Sequence, residues 1–416
     1  MTIEICNRSE CTGCGLCSAI CPKSAITMVM DFNGFSFPEL DTKRCIECEL
    51  CQSACPVFSS PVFDTLSVPE SYACWAKDTK LRKDSSSGGL FSVFANHILA
   101  QNGVVYGVVF NSELEVVFAR TESDDGVRSM RGSKYIEAKT LNLFQQVATD
   151  LERGIPVLFS GTPCQNAALK RYLEIMRIRS SSLYQIDLIC HGVSSPSLWK
   201  SSTKAIEAKY RDELRLVHFR DKSIGGWKSP AIRFSFRNRK DVLMSWSTVR
   251  LHLENAFILC YHKNLSLRSS CSHCRWIGLP RQGDITLADA QSLYHHPDFR
   301  TEARDGISTI LLNTDKGRII FLEVSEEIVF APRPFDETRL SALPAKLHPL
   351  RNQFLNDAQR FDFLSLIEQY RSLLTPQFRF GTVLNGILKT VLGPRVSLFI
   401  REHFESVLGH FKRRKR

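Results

Sequence analysis

No stretch of this chain reads as a membrane span or an export signal. Its most apolar late stretch, TVLNGILKTVLGPRVSLFI, is broken by Lys389, Pro394 and Arg395, short of the roughly 20 apolar residues a bilayer crossing needs. The opening MTIEICNRSE has no basic segment followed by an apolar one, so no secretory signal is expected. No G-x-G-x-x-G follows the first strand pattern of the main body, which leaves a Rossmann dinucleotide site without support. Disordered tracts are absent too, and beyond one paired cysteine motif no repeat is apparent. With 416 residues and 43% hydrophobic content the chain can bury a full core, and two or three domains are expected.

Cysteine, by contrast, is plentiful. Fifteen cysteines without an export signal predict a cytoplasmic protein whose thiols serve metal or catalysis rather than disulfides. Eight fall into two copies of C-x2-C-x2-C-x3-C-P: Cys11, Cys14, Cys17 and Cys21 before Pro22, then Cys45, Cys48, Cys51 and Cys55 before Pro56. Three closely spaced thiolates cap three irons of one cubane, and the fourth, ahead of the proline, reaches the other cluster. The spacing therefore assigns Cys11, Cys14, Cys17 and Cys55 to one 4Fe-4S cluster, and Cys45, Cys48, Cys51 and Cys21 to a second. A zinc ribbon needs only paired C-x2-C hooks and leaves the remaining cysteines unexplained. Between the copies, AITMVMDFNGFSFPELD has the apolar runs and Asn-Gly turn of a hairpin, as a two-fold ferredoxin module requires.

Charge is unevenly distributed. Residues 1–60 hold four Lys and Arg against seven Asp and Glu, a net of −3, while the whole chain is +11, leaving +14 on the remainder. A basic body suits an acidic electron carrier or an anionic cofactor; a plainly solvated basic face is the alternative. The terminal FKRRKR reads as a solvated tail. No nucleic-acid partner and no membrane span are expected.

After the linker SSPVFDTLSVPES, apolar strand patterns (VVYGVVF, IPVLFS, LYQIDLI) alternate with helical ones (GGLFSVFANHILAQNG, KTLNLFQQVATDLERG, CQNAALKRYL). That alternation predicts a sheet covered on both faces and at least partly parallel. Two turns in this body suit an anion. DSSSGGLF places Ser85 to Gly89 where a helix begins, although serine and glycine are also ordinary caps. MRGSKYIEAK offers Arg131, Ser133, Lys134 and Tyr135 around Gly132, groups that fit a pyrophosphate or a flavin edge, or merely an exposed turn. Cys164 and Cys190 each follow a strand pattern, and Cys271 and Cys274 form CSHC. These four read as a third cluster, as a zinc site recruiting His191 or His273, or as separate buried thiols. Cys6, Cys74 and Cys260 have no partners in spacing and are expected to be structural.

Taken in order behind the two ferredoxin motifs, SSSGG, RGSKY, GTPCQ, DLICHGV, FRDKSIGGW, CSHCRW and GDITLAD resemble the family formed by the beta subunits of coenzyme F420 hydrogenases and dehydrogenases over residues 1 to about 325. The resemblance implies an FAD surrounded by Ser86, Ser87, Gly88, Gly89, Arg131, Gly132, Ser133, Lys134 and Thr162, and a third 4Fe-4S cluster on Cys164, Cys190, Cys271 and Cys274. The implied fold is an α+β ferredoxin-like module with two 4Fe-4S clusters (1–60), a linker and first strand (61–80), an α/β FAD-binding domain (81–325) and a helical C-terminal extension (326–416). In that extension Val396, Phe399, Ile400, Phe404, Val407, Leu408 and Phe411 share one helical face. One departure stands out: where the family reads G-D-F-W-G, this chain has Ala288, Asp289, Ala290, Gln291 and Ser292.

One-electron clusters beside a flavin make a converter between single-electron carriers and two-electron chemistry. The expected function is thus a flavin and iron–sulfur oxidoreductase, exchanging electrons with a ferredoxin-like carrier and acting on a substrate the sequence does not name. The alternative is an electron-transfer subunit that feeds a partner oxidoreductase. His191 is the candidate proton donor, and a structural hydrogen bond is its competing role.

Overall fold

The segment between the cysteine motifs turns back on itself at Asn33-Gly34, where Gly34 adopts φ +80° and the Asp31 carboxylate accepts the Asn33 and Phe35 N–H groups. That turn joins β1 (Ile26–Met30) to β2 (Ser36–Leu40) in an antiparallel ladder running from Ile26↔Leu40 to Met30↔Ser36. Two one-turn helices, Leu16–Ile20 and Leu50–Ala54, carry the third cysteine of each motif. The computed structural model describes residues 5–58, 66, 68–246, 251–299, 301–338 and 344–375.

The ferredoxin-like module does not stand apart. Leu16, Ile20 and Ala54 share a core with Val104, Tyr106, Phe144, Val147, Phe159 and Leu169 of the body. Burying a Leu, Ile or Phe side chain contributes on the order of 1.5–3 kcal/mol, so these contacts fuse module and body. Of the described residues, those from 5 to 246 and from 252 to 369 fall in one compact unit, and 251 and 370–375 in a second, which includes the helical turn Arg371–Leu374.

The body is built on an eight-stranded sheet. Its strands are β3 (Glu70–Ala76), β4 (Val104–Phe110), β5 (Val116–Thr121), β6 (Val157–Gly161) and β7 (Leu183–Leu188). After an insertion of β8 (Leu214–Asp221), β9 (Ala231–Phe236) and β10 (Val242–Ser245) come β11 (Ile285–Asp289), β12 (Ser308–Leu312) and β13 (Ile328–Pro332). The order is β13-β3-β12-β11-β7-β6-β4-β5. β4, β6, β7 and β11 are parallel neighbours, and β3, two strands beyond β11 through antiparallel β12, runs the same way. Five strands therefore end along one edge, where α/β sheets place ligands. Helices Leu90–Ala100, Leu143–Glu152 and Pro163–Ile175 pack on the sheet through buried apolar faces.

Three features differ from the sequence reading. The sheet closes at Pro332, past the expected body end at 325, while its first strand, Glu70–Ala76, falls within the segment 61–80 expected to hold one. The stretch from 326, expected to be helical, opens instead with β13, because Ile328 to Pro332 pair with Ala76 to Tyr72 of β3; helices Arg351–Asp357 and Phe363–Gln369 follow. The insertion β8–β9–β10 forms a separate antiparallel sheet. Most of the linker, the apolar stripe from Val396 to Phe411 and the basic tail lie outside the described residues. Among the described residues no helix is long and apolar enough to cross a membrane.

Candidate iron–sulfur and cofactor sites

The first motif wraps a cavity lined by Cys11, Cys14, Cys17 and Cys55, with Cys6 beside them. Gly13 and Gly15 take φ +70° and +79°, and a Cβ on Gly13 would lie 2.9 Å from the Ser36 carbonyl oxygen. The second copy has the same left-handed backbone at Glu47 and Glu49, with φ 54° and 57°. Glycine is needed only where the loop is pressed against the body. Burial raises the Cys14 thiol to about 12 and Cys17 well above its ordinary value, and the neighbouring thiols of Cys11 and Cys55 add to both. Cys6 hydrogen-bonds to Cys11 and Cys55 and lowers both thiols against the opposing effect of burial.

The second set assembles around Cys51, whose thiol is raised by burial, with Cys21 and Cys48 contributing as neighbours. Backbone N–H groups of Ala25 and Glu47 donate to the sulfurs of Cys21 and Cys45, at 3.3 and 3.4 Å. Hydrogen bonds of this kind help set cluster potentials. Cys48 is exposed, so this set faces solvent while the first is buried against the body.

The third set gathers at the strand edge. Cys164 opens the helix after β6, Cys190 follows β7, and Cys271 and Cys274 sit in and just after the 3-10 turn Ser269–His273. Burial raises Cys164 well above its ordinary value, with Cys274, Cys190 and Cys271 adding to the rise. It also carries Cys190 to about 12 and Cys271 to about 11. Gly192 leaves room for this approach, since a Cβ there would lie 3.3 Å from the Cys271 sulfur. The loops are braced by the buried pair Arg281–Asp187, 3.1 Å apart; Arg281 also donates to the carbonyls of Leu188 and Trp276. Cys164 and Cys274 pack with Cys6, Cys55, Val57 and Trp276 in one apolar patch, which puts the third set against the first. Neither histidine joins it: His191 Nε2 is 2.7 Å from Asn264 Oδ1, and exposed His273 pairs with Ser272. Among the described residues no three His, Cys, Asp or Glu side chains close around a single ion. In a cubane each thiolate meets its own iron, so the donor chemistry and the spacing fit a cluster.

The two anion-type turns meet. Ser86 Oγ accepts the Ser133 N–H at 2.9 Å and lies 3.2 Å from the Ser133 hydroxyl; Arg131 Nε donates to Ser92 at 2.8 Å. Other members are occupied within the fold. The Gly88 N–H donates to Ser308 Oγ and the Ser87 hydroxyl to the Ile307 carbonyl, whereas Gly89, with φ +92°, serves as the N-cap of Leu90–Ala100. Lys134 is turned back on the C-terminal end of the preceding helix, Asp124–Met130, its Nζ 3.1–3.5 Å from the carbonyls of Ser129, Met130, Arg131 and Gly132. Burial lowers its ammonium to about 7, and those four carbonyls oppose the shift. Thr162 lies with the third thiol set, 3.1 Å from the Cys164 sulfur.

Sequence reasoning missed three participants. Cys6 precedes the first motif by five residues and carries no spacing signal. Lys222, within FRDKSIGGW, donates to the carbonyls of Arg82, Ser87 and Asp305 and so ties the serine turn to the loop before β12. Arg268 and Glu137 form a buried pair 2.6 Å apart, joined only by folding. In the stretch that departs from the family pattern, Ala288 and Asp289 end β11. Ala290 does not face an open site; it is buried with Trp227, Leu293 and Phe299, and Asp289 pairs with Arg220 and Trp227.

An α/β sheet edge joined to a thiol-rich ferredoxin-like module defines an iron–sulfur electron-transfer protein. Residues 156–338 match the family described as coenzyme F420 hydrogenase/dehydrogenase, beta subunit, C-terminal part, and residues 10–59 match the 4Fe-4S dicluster domain. Residues 156–338, which carry β6 to β13 and the loops of the third thiol set, thus belong to the coenzyme F420 hydrogenase/dehydrogenase beta-subunit family. It is 24% identical over 197 residues to one of the subunits of the F(420)H(2) dehydrogenase of Methanosarcina mazei, covering 45% of this chain and 55%, about half, of that relative. An uncharacterized ferredoxin of Methanocaldococcus jannaschii is 37% identical over 57 residues, which cover 14% of this chain and 73% of that protein. A chain from the F420-reducing NiFe hydrogenase complex of Methanosarcina barkeri superposes with TM-score 0.43 at 13% identity, over 74% of this chain and 93% of that one.

Proposed function

We propose that the chain is a flavin and iron–sulfur oxidoreductase in which electrons from a soluble low-potential carrier enter at the exposed second cysteine set, pass the first and third sets, and reach an FAD at the strand edge. The observation that carries this reading is the shared apolar patch of Cys55, Cys164 and Cys274 with Cys6, which makes the ferredoxin-type and inner thiol sets neighbours. Bound FAD supplies the interchange between one- and two-electron steps. These residues would hold it: Ser86 and Ser133 join the two turns, Arg131 offers a fixed cation, and Thr162 lies beside Cys164. Lys134 acts by stabilising the Arg131–Gly132 turn through its carbonyls. The serine turn is held in place by Lys222.

A second reading, an electron-transfer subunit that feeds a partner oxidoreductase, is favoured by the burial of Ala290 against Trp227, which fills the strand end with protein. Stopped-flow absorbance on anaerobically loaded protein separates the possibilities. A reduced ferredoxin is expected to bleach the flavin rapidly, whereas reduced coenzyme F420 is a poor donor, because exposed Gln291 offers no aromatic stack worth roughly 0.5–1.5 kcal/mol. Rapid, saturable bleaching by reduced F420 would overturn the specificity. Protein that binds no flavin would leave the second reading.

A further inference from the structure

The Arg268–Glu137 pair lies where two thiol sets meet. Arg268 is 1% exposed and Glu137 7%. The Arg268 backbone belongs to the third set's scaffold: its N–H donates to the Val193 carbonyl, three residues past Cys190, and its carbonyl accepts the Cys271 N–H at 3.1 Å. Its side chain belongs to the first set. Nε donates to the Cys11 carbonyl at 2.7 Å and Nη2 to the Ser36 carbonyl at 2.8 Å. Nη1 meets Glu137 Oε2 at 2.6 Å, and Glu137 Oε1 accepts the Ser36 N–H at 2.7 Å. The guanidinium lies 4.2 Å from the Phe37 ring centroid, and a Cβ on Gly13 would lie 3.0 Å from Nη1. One arginine thus spans Cys271 and Cys11, and its full charge faces the loop that wraps the first site.

We propose that Arg268 is a positioning residue which clamps the first cysteine site against the third and, balanced by Glu137, sets the potential of the cluster held in the first. The inference rests on the family's ferredoxin domain being loaded with iron. Each one-electron reduction adds a negative charge, so a nearby cation favours the reduced form and a nearby anion the oxidised form. In a water-excluded site these effects are weakly screened. Glu137 offsets part of the arginine's charge, and the two residues act on the potential with opposite signs.

EPR-monitored redox titration of the anaerobically purified full chain tests this. Arg268→Gln is expected to shift one of the two ferredoxin-type signals to more negative potential and leave the other in place. Glu137→Gln is expected to shift the same signal to more positive potential, the double variant to return it toward the original value, and Arg268→Lys to shift it least of the single changes. If Arg268→Gln loses the first cluster altogether, the sign of the Glu137→Gln shift decides alone. Shifts of the same sign in the two single variants, equal movement of both ferredoxin-type signals, or no movement in Glu137→Gln would overturn the proposal. An iron content near eight per chain in the unmodified protein would remove the inner cluster from the functional reading yet leave this shift intact, so the two failures are distinguishable.

Discussion

Backbone conformation at single positions separates the two cysteine motifs, which read as near-identical phrases. Both copies need left-handed residues after their first and second cysteines, but only Gly13 is pressed against Ser36, Arg268 and Glu137. Gly13→Ala is therefore expected to cost about 1–3 kcal/mol in urea unfolding and to weaken one ferredoxin-type EPR signal. Glu47→Gly, at φ 54° in the exposed copy, should be neutral or slightly stabilising. Equal losses in the two variants would show that the copies sit in equivalent surroundings. The eight motif cysteines were legible because their spacing is local. Cys6 was not, since its neighbours Cys11 and Cys55 are set by the folded module. Lys134 shows a different limit: its charge and neighbourhood suggested an anion ligand, and only the backbone path reveals four carbonyls around its ammonium.

Among the elements, the buried strands β4, β6 and β7 and the helices between them were readable from apolar runs and 3.6-residue periodicity. The small sheet β8–β9–β10 was not, because its strands mix exposed and buried residues and lack the continuous apolar run that marks the central strands. β13 was missed for a related reason: Val329 and Phe330 are exposed, and the strand exists through its pairing with β3. This insertion also holds the half-buried His218. Burial, with Arg233 adding to it, lowers His218 to about 4. It stays neutral in the folded chain near pH 5, while an unfolded histidine, with pKa near 6.5, takes up a proton. Its contribution to stability is fully present above about pH 6.5 and is lost as pH falls toward 4. The urea midpoint should drop between pH 7 and pH 5, and His218→Phe should flatten that slope. A midpoint unchanged over this interval, or an equally steep slope in the variant, would contradict the assignment.

For the whole molecule, the chief result is continuity. An exposed thiol set packs beside a buried one through Cys51 and Cys17, and the buried one beside a third at the strand edge through Cys55 with Cys164 and Cys274. Fusion of module and body through Leu16, Ile20 and Ala54 fixes the interval from the buried set to the third, which a flexibly tethered ferredoxin would leave variable. The −3 module on a chain of +11 leaves a strongly basic body, so exchange with an acidic carrier should slow as ionic strength rises. The central claim is that three cubanes, not two, occupy this path. Iron and acid-labile sulfide counted per chain after anaerobic purification test it most directly: the account predicts about twelve of each, whereas about eight, or stoichiometric zinc, would contradict it.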